Sequence, residues 1–174
     1  MSKDRIRQIV VTVSAIFMVF GTLLGIGVIG TRVEESSGGS LSATATLLAP
    51  AVTAFSIWSV IYTGLFAYVI WQWLPANTST PRARAIGYLA SLTMVLNAAW
   101  LLVTQVGWLW PSVGVIVVLV LSLGVLVKRL TVHPARSLAE KIVVDGTFGL
   151  YLGWVSLATV ANITATLVAS GIDP

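Results

Sequence analysis

Residues 85–127 read AIGYLASLTMVLNAAWLLVTQVGWLWPSVGVIVVLVLSLGVLV, with Arg84 before them, Lys128 after them and no charged residue between. A helix that crosses the hydrocarbon core of a bilayer needs ~20 mostly apolar residues. This stretch therefore holds two such helices, and Gly107-Trp108-Leu109-Trp110-Pro111 is the break between them. The same punctuation continues outward in both directions. No charge occurs between Arg7 and Arg32, between Glu35 and Arg82, or between Asp145 and Asp173. The pattern predicts five spans, over residues 9–29, 51–74, 85–106, 112–129 and 143–169, in an all-α bundle that forms a single integral membrane domain, 1–174. The fourth span extends past Lys128 and Arg129, whose long stems reach the interface.

Composition agrees. Of the 174 residues 57% are hydrophobic and 9% charged, and the mean hydropathy is +0.95. A soluble domain carries roughly 25% charge, so an ordinary soluble domain and a disordered chain are both excluded. The net charge of +4 would point to nucleic acid in a soluble protein. Here the cations lie in short clusters between apolar runs, where they set topology, and the expected partner is the lipid bilayer rather than nucleic acid. Lys3, Arg5, Arg7, Arg82, Arg84, Lys128, Arg129, Arg136 and Lys141 fall on one side, and only Arg32, with Glu34, Glu35 and Asp173, falls on the other. That split predicts a cytoplasmic N-terminus and an outside C-terminus, in a bacterial inner membrane. The first span is too long for the apolar region of a signal peptide, and no clear A-x-A site follows it, so it reads as a retained helix.

Catalysis has little to work with. There is no cysteine, the single histidine, His133, lies in a loop beside Pro134, and no acid or base falls inside a predicted span except at its inner end, where Lys128, Arg129 and Asp145 stand. Proton-coupled pumps need such groups at membrane depth. No catalytic residue, no metal site and no required cofactor are expected. Asp145, at the inner end of the last span, is expected to pair with Lys141 or to lie among the basic loops. Asn77-Thr78-Ser79 matches a glycosylation sequon, but the predicted orientation places it inside.

Aromatic and amide residues carry the remaining signal. Trp71, Trp73, Trp108 and Trp110 stand at span ends and read as an interfacial belt. Trp58, Trp100 and Trp154 lie deeper. Trp58, Tyr62 and Phe66 recur every four residues with Phe55 beside them. Thr93, Asn97, Trp100 and Thr104 share one face, and so do Tyr151, Trp154, Ala158 and Asn162. Such stripes either fill a core, with each Asn bonded to a neighbouring helix, or together form an aromatic box for a flat, largely apolar ligand. The first loop, about Gly30 to Pro50, is either a flexible linker or a lid over that box. Gly21 and Gly25, and Ala83, Gly87 and Ser91, form small-residue rows for close helix contact, within the bundle or between two copies.

These residues also resemble a known family. Pro50-x7-Trp58-x3-Tyr62, Leu96-Asn97-x-x-Trp100 and above all Tyr151-Leu152-x-Trp154-x3-Ala158-x3-Asn162 are similar to the second, third and fifth helices of the TspO/MBR family (translocator protein, peripheral-type benzodiazepine receptor, tryptophan-rich sensory protein). The resemblance implies a five-helix bundle, often a homodimer, that binds porphyrins, haem-type tetrapyrroles or drug-like ligands, with a transport, receptor or stress-sensing role. Light-dependent porphyrin breakdown and action through a protein partner are the alternatives it leaves. It puts Phe55, Trp58, Tyr62, Asn97, Trp100, Trp154, Ala158 and Asn162 at the ligand. The chain departs from the family at Ala49, where a second Pro is common, and at Leu150, where Pro is common. Its C-terminal segment lacks the Tyr and Arg of the animal members' proposed sterol motif.

Overall fold

The charge-free stretches fold as helices. In the computed structural model, which describes residues 2–25, 27–33 and 35–172, α1 is Lys3–Gly25 and α2 is Val52–Trp73, with its first turn Val52–Ser56 wound tightly as 3-10. They are followed by α3, Pro81–Gln105, α4, Leu109–Val132, and α5, Leu138–Ala169, which widens to a π turn over Lys141–Gly146. Glu34 and Asp173, which entered the topology count, lie outside the described residues. All five helices are long and apolar enough to cross a membrane, and there is no strand among the described residues.

Several helix ends differ from the sequence expectation, each for a local reason. Helix α1 runs Lys3–Gly25 rather than 9–29, because its cations ride on its first turns and Gly27, at φ +77°, turns the chain just after it. Helix α3 starts at Pro81 rather than 85: Thr80 caps it by accepting a hydrogen bond from the Ala83 amide (3.1 Å), and Pro81 occupies the first helical position. Helix α4 starts at Leu109 and ends at Val132 rather than 112 and 129. Gly107, at φ +78°, makes the turn, and Pro111 is accommodated in the first helical turn, where its missing N–H costs nothing. Helix α5 begins at Leu138 rather than 143. Ser137 Oγ accepts from the Glu140 amide (3.1 Å), while the Glu140 carboxylate accepts from the Arg136 amide (2.9 Å), a reciprocal capping arrangement.

The helices close a ring in the order α2, α1, α3, α4, α5 and back to α2. Helix α3 is the most enclosed and helix α2 the least. The small-residue rows explain the tight α1–α3 seam. A Cβ on Gly21 would lie 2.8 Å from Ala98 Cα, Gly25 faces Leu101, Gly87 lies against the aliphatic stem of Arg7, and Ser14 Oγ and Ser91 Oγ are 2.5 Å apart. Both rows, read above as contacts within the bundle or between two copies, are packed inside this one chain.

The end of the bundle that carries the basic clusters is fastened by polar contacts. Gln8 and Gln72 each donate a side-chain hydrogen bond to the other's backbone carbonyl (2.6 and 3.3 Å). Arg7 bonds Asp4 (2.8 Å) and the Thr78 carbonyl (2.7 Å). Arg82, 4% exposed, donates to the Asp145 carboxylate and to the His133 carbonyl, and its Nε lies 3.4 Å from Glu140 Oε1. Asp145 therefore pairs across the bundle with α3 and not with Lys141 one turn away. Asn77 is buried, donating to the Trp71 carbonyl (2.9 Å) and accepting from Arg136 (2.6 Å), so its amide is fully engaged in structure. Trp71 also leaves the predicted interfacial belt: it is 7% exposed and stacks on Tyr68, with centroids 5.8 Å apart. Trp73 fits the belt better, with Arg5 over its ring at 5.3 Å, and Trp108 and Trp110 are exposed at the opposite end.

Candidate functional site

The opposite end is built from rings instead of ions. Phe55 and Trp58 from the start of α2, Trp100 from α3 and Trp154 from α5 meet edge to face. Centroid distances are 5.7 Å for Phe55–Trp154, 6.3 Å for Phe55–Trp58 and 6.4 Å for Trp58–Trp100, with interplanar angles of 61–76°. Tyr62 continues the chain from Trp58 at 5.7 Å. This is the arrangement the aromatic quadrupole favours, edge on face. It joins three helices that are distant in sequence. The stripe stops there. Phe66 was expected to continue it but is 51% exposed, because each step of four residues overshoots a 3.6-residue turn by about 40° and two steps carry the side chain off the face.

Two spaces adjoin this cluster. The first is a cavity of about 40 Å³ beneath the first loop. Its floor is Phe55, Trp100, Trp154 and the small-residue face Ala158, Ala161, Asn162 and Ala165 of α5, and its roof is Val33, Leu41, Thr46, Ala49 and Pro50 with neighbouring serines. The loop is therefore a lid rather than a free linker. The second is a groove of about 350 Å³ between the last turn of α1 and the first turns of α2, lined by Thr22, Gly25, Arg32, Phe55, Trp58, Ser59 and Tyr62. Phe55 lines both.

The eight residues expected at the ligand are thus divided. Phe55, Trp100, Trp154, Ala158 and Asn162 line the cavity, whereas Trp58 and Tyr62 line the groove and form the wall behind. Asn97 lines neither, and its Nδ2 donates to the Tyr62 hydroxyl (3.1 Å), which fixes that ring. Asn162 exchanges hydrogen bonds with Ser112 of α4 (3.1 and 3.2 Å), so its amide holds α5 to α4 while the residue borders the cavity. Thr93 and Thr104 are fully buried with their hydroxyls returned to their own helix. The lid residues and Ala161 and Ala165 were missed. The alanines were legible as a small face at positions i, i+3 and i+7, whereas the lid contacts have no sequence period.

Two cavity-lining residues carry buried polar atoms without a hydrogen-bond partner, Trp100 Nε1 and Thr46 Oγ1, and Trp58 Nε1 behind them is a third. A buried donor or acceptor left unpaired costs about 1–3 kcal/mol, so these atoms favour a guest with complementary polar groups. The lid is held unevenly. Its first part is pinned to α3: Gln105 accepts from the Thr31 amide (3.2 Å) and donates to the Thr31 carbonyl (2.6 Å), and Ser37 Oγ donates to the Thr104 carbonyl (3.0 Å). Ala51 is the first residue tied to α2, accepting from the Ala54 amide (2.8 Å), and from Ser40 to Pro50 the hydrogen bonds found among the described residues stay within the loop. That part can lift without breaking a bond to the bundle.

A family model, TSPO-like protein, matches residues 8–174. The chain belongs to the TSPO-like family. The match takes in all five helices, the lid and the aromatic cluster, in accord with the resemblance read from helices two, three and five. No curated protein and no solved structure matches the chain. Family membership makes it an integral membrane protein built as a five-helix bundle, consistent with its five spanning-length helices.

Proposed function

We propose that this TSPO-like protein is a membrane-embedded binding protein for a planar, largely apolar ligand of the tetrapyrrole class, in a transport or stress-sensing role. The supporting observation is the lidded cavity itself: edge-to-face aromatics on α2, α3 and α5, a face of small residues on α5, and buried polar atoms on Trp100 and Thr46 that lack partners. A cavity of about 40 Å³ takes only a few waters, and sites for drug-sized ligands are roughly 300–1,000 Å³. Binding a macrocycle therefore requires the weakly held half of the lid, residues 40–50, to rise. The basic end, fastened by buried ion pairs, stays shut, so entry is from the lid end.

Titration of the purified protein with protoporphyrin, read by Trp fluorescence, tests this. Offset stacking on one ring is worth about 0.5–1.5 kcal/mol, so Trp100→Phe or Trp154→Phe should each weaken binding by up to about ten-fold. Trp71→Phe, at the other end, should leave it unchanged. Equal affinity in all three variants would make the stripes core packing and remove the site.

Orientation follows from charge. Nine of the ten Lys and Arg residues lie at the fastened end, and we place that end in the cytoplasm. The chain has no cysteine, so single cysteines at positions 38 and 78 can be labelled directly. Residue 38 should react from outside and residue 78 from the cytoplasm, and the reverse would invert the topology.

A further inference from the structure

We infer that the groove between α1 and α2 is a second ligand site, for an apolar molecule carrying a single carboxylate, a fatty-acid-like amphiphile that arrives from the bilayer. The inference goes beyond the lidded cavity. It concerns a different space, which shares only Phe55 with that cavity.

Three observations carry it. First, the groove is the roomier space at this end of the molecule, about 350 Å³ against about 40 Å³. It lies beside α2, the helix with the least buried surface, and Ser59 on its rim is exposed. Second, its chemistry is amphiphilic. Phe55, Trp58 and Tyr62 form an apolar wall, Arg32 supplies the one cation at this end, and no acidic residue is among the described residues that line it. A cation beside an aromatic wall, with no ion pair to another of the described residues, matches an anionic head on an apolar body, and a planar guanidinium matches a carboxylate in two parallel hydrogen bonds. Third, Arg32 is placed. Gln105 clamps Thr31 through both its amide and its carbonyl, the Val33 amide donates to the Gly25 carbonyl (3.0 Å), and Val33 itself is buried. The Arg32 backbone is thus fixed between two anchored neighbours, and its stem passes over Gly27, where a Cβ would lie 2.8 Å from Arg32 Cγ. The groove's volume of about 350 Å³ suits one slender chain rather than the paired acyl chains of a phospholipid, so the proposal commits to the single-chain carboxylate.

The probe is 9,10-dibromostearate, whose bromines quench tryptophan only at short range, added to the full-length protein in neutral detergent. Saturable quenching is expected, with most of its amplitude lost in Trp58→Phe. Arg32→Gln, and the methyl ester of the same probe on the wild type, should each bind at least about ten-fold more weakly, because a charge-assisted contact is lost. Arg32→Lys should restore part of the affinity and so show that the Gln variant is folded. Ala158→Leu should leave the quenching intact, which separates this site from the lidded cavity whatever protoporphyrin does. Quenching that is not saturable, that is indifferent to Arg32 and to esterification, or that disappears in Ala158→Leu would overturn the inference. A brominated phosphatidylglycerol that competed equally well would replace the fatty acid with a phospholipid head and would overturn it in its present form.

Discussion

Arg82→Gln is expected to be among the most damaging single substitutions in the molecule, lowering the midpoint of thermal unfolding in detergent by about 10 °C. Arg82 and Glu140 are 4% and 3% exposed, and Asp145, which Arg82 also contacts, is 32% exposed. Removing the cation leaves the half-buried Asp145 carboxylate without a partner, leaves the buried Glu140 carboxylate with only the exposed Arg136, whose Nε lies 3.2 Å from Oε2, and orphans the carbonyl of His133 at the end of α4. Breaking a buried pair by deleting one partner costs about 3–5 kcal/mol, and at this chain length each kcal/mol moves the midpoint by about 2–4 °C. Arg82→Lys should rescue little. A single ammonium does not reproduce a planar fork that reaches α4 through His133 and α5 through Asp145 and Glu140 together. Adding Asp145→Asn to Arg82→Gln should recover part of the loss, since the unpaired charge is then gone, and the double-mutant cycle measures the coupling. Arg84→Gln is the contrast. Its partner Asp4 is also shared with Arg7, and Arg84 is 58% exposed, so an effect within about 1 kcal/mol is expected. Equal midpoints for Arg82→Gln and Arg84→Gln would show that the ion cluster does not hold α3, α4 and α5 together.

That cluster also marks where a sequence stops being legible. Five spans could be read because charge is expensive in a bilayer and the chain places it only at the turns. The Trp58–Tyr62, Asn97–Trp100 and Trp154–Ala158 stripes could be read because a helix repeats its faces. The partner of Asp145 could not. Lys141 is one turn away and Arg82 is 63 residues away, and only the fold, which carries the Arg82 side chain from the start of α3 to the π turn of α5, makes the distant one nearer. Trp71 misled for a similar reason: a tryptophan near a span end suits an interface, but Tyr68 and the α2–α5 contact draw it inward. The small-residue rows stated that helices approach closely without stating which ones, and the answer was α1 on α3. At the site, Ala158 and Trp154 of the α5 pattern line one space. The division between cavity and groove depends on where the lid lies, and a segment of Ser, Gly, Thr and Ala has no period to read. The early start of α5 was legible in Ser137-Leu138-Ala139-Glu140, a capping signal overshadowed by the charges around it.

Ala158→Leu should abolish high-affinity protoporphyrin binding, by about 100-fold, while leaving the unliganded protein as stable as before. Ala158 lies one turn beyond Trp154 and opens into a cavity of about 40 Å³. Leucine adds three carbons at a point where the empty protein has space to receive them, and it suits a helix nearly as well as alanine, so the fold itself meets no clash. The ligand does. With the lid raised, a ring stacked on Trp100 and Trp154 must pass over the small face of Ala158, Ala161 and Ala165, and an isobutyl group there forces either the ring or α5 aside. Overpacking of that kind costs about 1–3 kcal/mol, which at its upper end is the 100-fold loss expected. Ala158→Ser, polar but small, should keep binding within a few-fold, which separates size from polarity. Fluorescence titration of the three proteins beside their thermal midpoints is the decisive comparison. If Ala158→Leu bound protoporphyrin as tightly as the wild type, the macrocycle could not lie beneath the lid. If its midpoint instead fell by several degrees, the space beside Ala158 would be too tight for a leucine even without ligand, and the cavity would be core rather than site.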